Sequence, residues 1–224
     1  MSSLYALINL GTILVPLIFS FHKKHPFYKE WKYFFPANLI IAFIFIAWDI
    51  YFTKIGVWGF NPKYLLGIDI FNLPLEEVAF FICIPFSCTF TYFALRAYIK
   101  KQLTFNVQRS IFAIVMLFSA IVAFSHISHY YTFSSFLLAA ICCIPFVLKP
   151  IGWSLHFLLC FLIIAFPFTI VNGLLTGSFI PEEVVWYNDD HNLNLRFLTI
   201  PVDDFSYSFA LQILNVYFYE RFKK

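Results

Sequence analysis

The sequence predicts an all-α integral membrane protein of about seven transmembrane helices, built as two parallel three-helix repeats joined by a linker helix. Three observations carry this. Of 224 residues, 61% are hydrophobic and 12% charged, too few charges to coat a soluble domain. Apolar runs, most of 16 to 22 residues, recur along the chain at or near the length a helix needs to cross a bilayer. One local pattern also occurs twice, as "PLEEVAFF" from Pro74 and "PVDDFSYS" from Pro201, 127 residues apart.

The spans follow in order. Leu4–Phe21 has no basic region ahead of it and no obvious cleavage site, so it is expected to be a retained first helix. Phe35–Phe52 carries Asn38 and, about three residues from its end, Asp49. Val78–Ile99 follows Glu76 and Glu77, and Ile111–Phe124 is the connector. Phe133–Leu148 is the weakest, because its 16 residues reach only about 24 Å and Pro145 lies inside it. Trp153–Leu174 carries Asn172 near its end. Val202–Tyr219 opens on Asp203 and Asp204, and its Asp204, Ser208, Gln212 and Asn215 form one helical stripe.

Charge orients these spans. Seven crossings put 12 of the 15 basic residues on one side, with only Lys54, Lys63 and Arg196 on the other. Basic loops stay cytoplasmic, so the N-terminus is expected outside and the C-terminus inside the cell membrane. Both acidic pairs then begin helices at one depth on the outer side. Residues 1–104 read as a first repeat, 105–130 as a linker helix and loop, and 131–224 as a second repeat. Parallel repeats share an axis along the membrane normal, and a common site is expected there.

Acids in the first turn of a helix suit its dipole, and proline suits the first position, so one such pair needs no function. Recurrence of the pair at matched depth favours a site. Polar groups within a membrane face the bundle interior and mark function. The sequence leaves open which glutamate points inward, because Glu76 aligns with Cys83, Ser87 and Thr91 while the repeat pairs Glu77 with Asp204. The five cysteines lie in apolar runs without a metal-like spacing, and no metal site is expected. The composition includes 32 Phe, 13 Tyr and 5 Trp, more than interface anchoring needs; a subset lining the interior would hold a long, flat, apolar molecule.

The segments "AWDIYFTKIGVWGFNP" (Ala47–Pro62), "LPLEEVAFFICIP" (Leu73–Pro85), "PFTIVNGLLTG" (Pro167–Gly177) and "IPVDDFSYSF" (Ile200–Phe209) resemble the integral-membrane lycopene cyclases, a family of paired small subunits or fused tandem domains. The resemblance implies a lycopene β-cyclase, an isomerase of carotenoid biosynthesis. Protonation at C2 of an acyclic ψ-end creates a C1 cation, the C5=C6 bond captures it, and loss of the C6 proton leaves a β-ring without net redox. This requires a carboxylic acid still protonated near neutral pH, a base and a dry aromatic cavity. Glu76 or Glu77 is expected to work with Asp203 or Asp204, supported by Asp49 and Asn172, with Trp48 and Trp58 as pocket aromatics. The second copy departs from the motif by carrying aspartates. Lycopene and the lipid bilayer are the implied partners, with no nucleic acid; a homo-oligomer, or contact with other carotenoid enzymes, is left open. No cofactor is expected, since the seven glycines form no GxGxxG loop. The alternatives are a cyclase of C50 or other related carotenoids and a proton-coupled membrane transporter.

Overall fold

A computed structural model describes residues 3–224. Its described residues form seven α-helices: α1 (Leu4–Phe19), α2 (Trp31–Lys54), α3 (Leu75–Tyr98), α4 (Phe105–Ser125), α5 (Tyr130–Leu148), α6 (Ser154–Leu175) and α7 (Asp203–Phe222). Six short strands lie in the connections α2–α3 and α6–α7: β1 (Trp58–Phe60), β2 (Asp69–Ile70), β3 (Leu73–Pro74), β4 (Val185–Tyr187), β5 (Arg196–Phe197) and β6 (Ile200–Pro201).

Five helices, α2 to α6, are long and apolar enough to cross a membrane. α5 is among them: it starts three residues before the expected span, and Pro145 sits near its end. α1 is apolar but only 16 residues long, about 24 Å. α7 is 20 residues long but more polar. Its environment explains that composition: α7 packs against α2, α3, α5 and α6, and 13 of its 20 residues are buried. A helix enclosed by other helices need not be uniformly apolar. α4, packed mainly on α5, buries only Gln108, Phe112, Ser119 and Ala123.

The helices alternate in direction, so the bundle has a basic end and a hairpin end. At the basic end Arg96 of α3 pairs with Glu220 of α7, which also accepts from the Tyr92 hydroxyl at 2.8 Å. Lys223 meets Glu30 at 2.7 Å, and the Tyr219 hydroxyl donates to Glu30 at 2.8 Å. Gln108 ties the start of α4 to the α5–α6 turn through the Phe146 and Lys149 carbonyls. In the centre, the Asn38 amide donates to the Phe81 carbonyl and to Asn215, each at 3.0 Å, joining α2, α3 and α7.

At the hairpin end the two long connections repeat each other's bonds. β2 pairs with β3 and β5 with β6, both antiparallel. Asn61 and Asn188 each cap a 3₁₀ turn by accepting from the N–H two residues on. Glu76 accepts the Leu66 N–H at 2.6 Å, and Asp203 accepts the Leu193 N–H at 3.2 Å, both ten residues back. The connections join at β1 and β4, where Trp58 faces Tyr187, Gly59 faces Trp186 and Phe60 faces Val185. The Asn61 N–H donates to the Val184 carbonyl, and the Asn188 N–H to the Val57 carbonyl, each at 2.8 Å.

Gly59 has a packing reason. A Cβ there would lie 2.3 Å from the Trp186 ring. Gly59→Ala is expected to displace that ring and cost about 1–3 kcal/mol through overpacking. A lower thermal midpoint in detergent checks this; an unchanged midpoint would contradict it.

Candidate active site

Just beneath β1 and β4 lies a cavity of about 620 Å³. Its walls come from α1, α3, α6 and α7, with Tyr131 of α5 and Asp49 of α2 reaching in at the hairpin end. Three carboxyl groups line it: Glu77, Asp49 and Asp204. The remaining lining is largely aromatic and aliphatic, including Trp58, Phe80, Tyr207, Ile164 and Leu211.

Helix geometry separates the members of each acidic pair. Successive residues on a helix point about 100° apart, so two neighbouring carboxyls cannot share a target. Glu76 and Asp203 turn toward the hairpins and brace them through the Leu66 and Leu193 N–H groups. Asp203 also accepts from the Thr132 hydroxyl at 2.6 Å. Glu77 and Asp204, one residue later, face the cavity. Of the four expected acids, the structure therefore brings two together in the cavity and commits Glu76 and Asp203 to the loops. The question of which glutamate points inward is answered by Glu77, whose face continues through Phe80, Ile84, Ser87 and Thr91.

The supporting residues divide similarly. Asp49 and Asn172 both reach the site from helix ends. Trp58 lines it and donates its indole N–H to Asp49. Trp48 is not part of the lining. It stands one layer behind, packed 5.1 Å from the Tyr207 ring and 5.6 Å from Phe45, so it holds a wall residue instead of forming the wall. In the polar stripe of α7, Asp204, Ser208 and Gln212 line the cavity, while Asn215 turns away to Asn38.

Two unlike clusters result. Glu77 accepts from the Tyr5 hydroxyl at 2.5 Å. Asp49, lining the same cavity, accepts from the Trp58 indole N–H and the Thr53 hydroxyl on one oxygen, while its Oδ2 is buried with no hydrogen-bond partner among the described residues. A buried carboxylate oxygen without a donor is costly, and a proton on it removes that cost. Asp204, by contrast, accepts from the Tyr131 hydroxyl at 2.6 Å, the Asn172 amide at 2.6 Å and the Tyr187 hydroxyl at 3.2 Å. Desolvation, with the Asp204 charge next, pushes the Tyr187 hydroxyl well above its ordinary pKa, so it remains a donor. Among the described residues, the four ion pairs all lie elsewhere, at Lys63–Glu182, Arg96–Glu220, Arg196–Asp189 and Lys223–Glu30. The carboxyl groups are thus held by neutral donors inside an apolar chamber.

Sequence reasoning missed the tyrosines. Tyr5 and Tyr131 open α1 and α5 and do the same work, each donating to the inward acid of its own half. They are 126 residues apart, close to the 127 that separate the prolines, so aligning the first helices of the two halves would have found them. Tyr187 and Tyr207 carried no comparable signal.

An arrangement with a carboxyl oxygen lacking a donor on one side, and a carboxyl held by three donors on the other, can deliver a proton at one place and accept one at another. A family model described as "Lycopene cyclase" matches residues 2–95 and 128–222, which include both clusters. The chain belongs to the lycopene cyclase family. Its relatives include a protein of Pyrenophora tritici-repentis named "Bifunctional lycopene cyclase/phytoene synthase", 26% identical over 108 residues. That match covers 47% of this chain and 18% of the fungal protein, so the chain spans less than a fifth of the relative's length. No solved structure matches the chain. The apolar helices fit a lipid environment. The segment between the matched halves, residues 96–127, contains α4, which contributes nothing to the cavity.

Proposed function

We propose that this lycopene cyclase converts ψ-ends of lycopene to β-rings by proton-initiated isomerisation, with Glu77 and Asp49 as the acid pair and Asp204 as the base. The observation that carries this reading is the contrast, in one apolar chamber, between Asp49 beside Glu77, with one oxygen buried without a donor, and Asp204, held by three donors. A proton from the acid pair adds to C2 of the terminal C1=C2 bond and leaves a cation at C1. The C5=C6 pair closes the C1–C6 bond, and the charge moves to C5. Asp204 takes the C6 proton, forming the C5=C6 bond of the ring. One proton enters and one leaves, so the product has the mass of the substrate.

The walls serve the cation. Trp58, Phe80 and Tyr207 line the chamber, and an aromatic face stabilises positive charge by ~2 kcal/mol or more when water is excluded. The Trp58–Tyr187 pair of β1 and β4 roofs the acid end and limits water, which would otherwise quench the cation. We read residues 1–104 and 131–224 as two parallel repeats with residues 105–130 as linker, supported by the matched hydrogen bonds of the two connections. In this reading Asp49 and Asn172 hold corresponding positions, and that difference, with the added Tyr187 donor at Asp204, makes one half the acid and the other the base. The hairpin end faces outward and the C-terminus the cytoplasm, in line with the basic loops.

Expression in a lycopene-accumulating host tests the function. The pigment should shift from red toward orange-yellow at unchanged mass, with β-rings by NMR. Unchanged pigment would overturn the reading, and a product of C50 mass would redirect it. Asp49→Asn makes the first half resemble the second at this position and removes one proton-bearing carboxyl. We expect a loss on the order of 10²-fold in conversion rate with normal membrane insertion; wild-type rate would remove Asp49 from the acid pair.

A further inference from the structure

The chamber is open on one side, and its shape restricts how a long hydrocarbon can occupy it. All three carboxyl groups sit at the hairpin end, under β1 and β4. From Glu77 the wall continues along α3 through Ile84 and Ser87 to Thr91, 14 residues or about 21 Å. The cavity is thus a slot running along the helices, with its reactive groups at one extremity.

The opening lies between α1 and α6. Leu7 of α1 and Ile170 of α6 both line the cavity, yet they are 59% and 50% exposed. A side chain can be both only where a cavity meets the exterior. That exterior is the lipid-facing side of two apolar helices. Gly11 is on the same edge, one turn along α1 from Leu7. A Cβ added there would meet nothing within 4 Å, so close helix packing does not explain this glycine. Glycine inside a helix is costly. What it leaves here is free width at the rim.

Resting on the cyclase reading above, we infer that the hydrocarbon enters sideways from the lipid between α1 and α6, one end toward the carboxyl groups, and that each visit closes one ring. The two ψ-ends lie at opposite tips of a stiff conjugated chain. Only one tip can reach a single carboxyl cluster while the remainder fills the slot toward Thr91 or extends into lipid. A second ring requires the monocyclic product to leave, reverse and return.

Two measurements with the full-length protein in lycopene-loaded vesicles test this. Gly11→Phe should lower the initial rate at least tenfold, whereas Ile114→Phe, at a 68% exposed position on α4, should leave it unchanged. If Gly11→Phe fails to accumulate, Leu7→Trp narrows the same rim from a position already exposed. A wild-type rate in a well-folded rim variant overturns the lateral entrance and leaves the cyclase reading intact. In the second measurement labelled lycopene is converted in the presence of excess unlabelled monocyclic product. One ring per visit predicts that label in the bicyclic product is diluted, and an enzyme that stops at one ring meets the same expectation. Undiluted label in bicyclic product from the earliest time points overturns the inference. Wild-type protein that forms no ring at all sinks the cyclase reading itself.

Discussion

Glu77→Gln is expected to abolish cyclisation, with conversion falling on the order of 10²–10⁴-fold, while the protein still reaches the membrane in normal amount. The reason is local. Glu77 accepts from the Tyr5 hydroxyl at 2.5 Å and lines the chamber together with Asp49, so it is half of the proposed acid pair. Glutamine keeps the size and can still accept from Tyr5, so folding should survive. It carries no transferable proton. The informative control is one residue away. Glu76→Gln retains an amide oxygen to accept the Leu66 N–H and should keep most of the wild-type rate. Pigment conversion per unit of membrane-inserted protein decides between them. Full activity in Glu77→Gln, or an equal collapse in Glu76→Gln, would remove the acid role from Glu77.

Asp204→Asn should be as damaging to the rate, on the order of 10²–10⁴-fold, and should also destabilise the protein. Asp204 accepts three hydrogen bonds with its two oxygens. Asparagine offers one oxygen, and its NH₂ then faces groups that themselves donate. At least one buried donor loses its partner, at a cost of about 1–3 kcal/mol. The expected result is therefore a double signature, loss of turnover with a lower thermal midpoint, whereas Glu77→Gln should show the first without the second. An Asp204→Asn enzyme that still forms rings at the wild-type rate would leave the final proton without its assigned acceptor.

Much of the architecture was legible in the sequence because a bilayer leaves the chain few choices. Backbone groups in hydrocarbon must bond within the segment, so long apolar runs become helices. The helix positions followed, with ends shifted by a few residues. The less apolar α7 shows the limit of that logic. Its polar stripe marked it as inward-facing, but only packing against four neighbours shows why it can be polar at all. The hairpins were not anticipated. β1 to β6 are two- and three-residue strands; β2–β3 and β5–β6 pair within one connection each, and β1–β4 pairs only because the two connections meet across the top of the bundle.

The site shows the same division at the level of single residues. The chain order alone determined that two acidic pairs begin helices running in the same direction, with Asp49 and Asn172 at the ends of the helices before them. That follows from the alternation of spans, which needs only hydrophobicity and length. It could not determine which acid of each pair turns inward. Neighbouring side chains on a helix differ by about 100°, and the helix's rotation is set by what packs around it. In the folded protein, the hairpins claim Glu76 and Asp203, Tyr5 and Tyr131 meet Glu77 and Asp204, and Trp48 falls behind Tyr207. Those outcomes depend on contacts between residues far apart in the chain, which is why only the tertiary structure decided them.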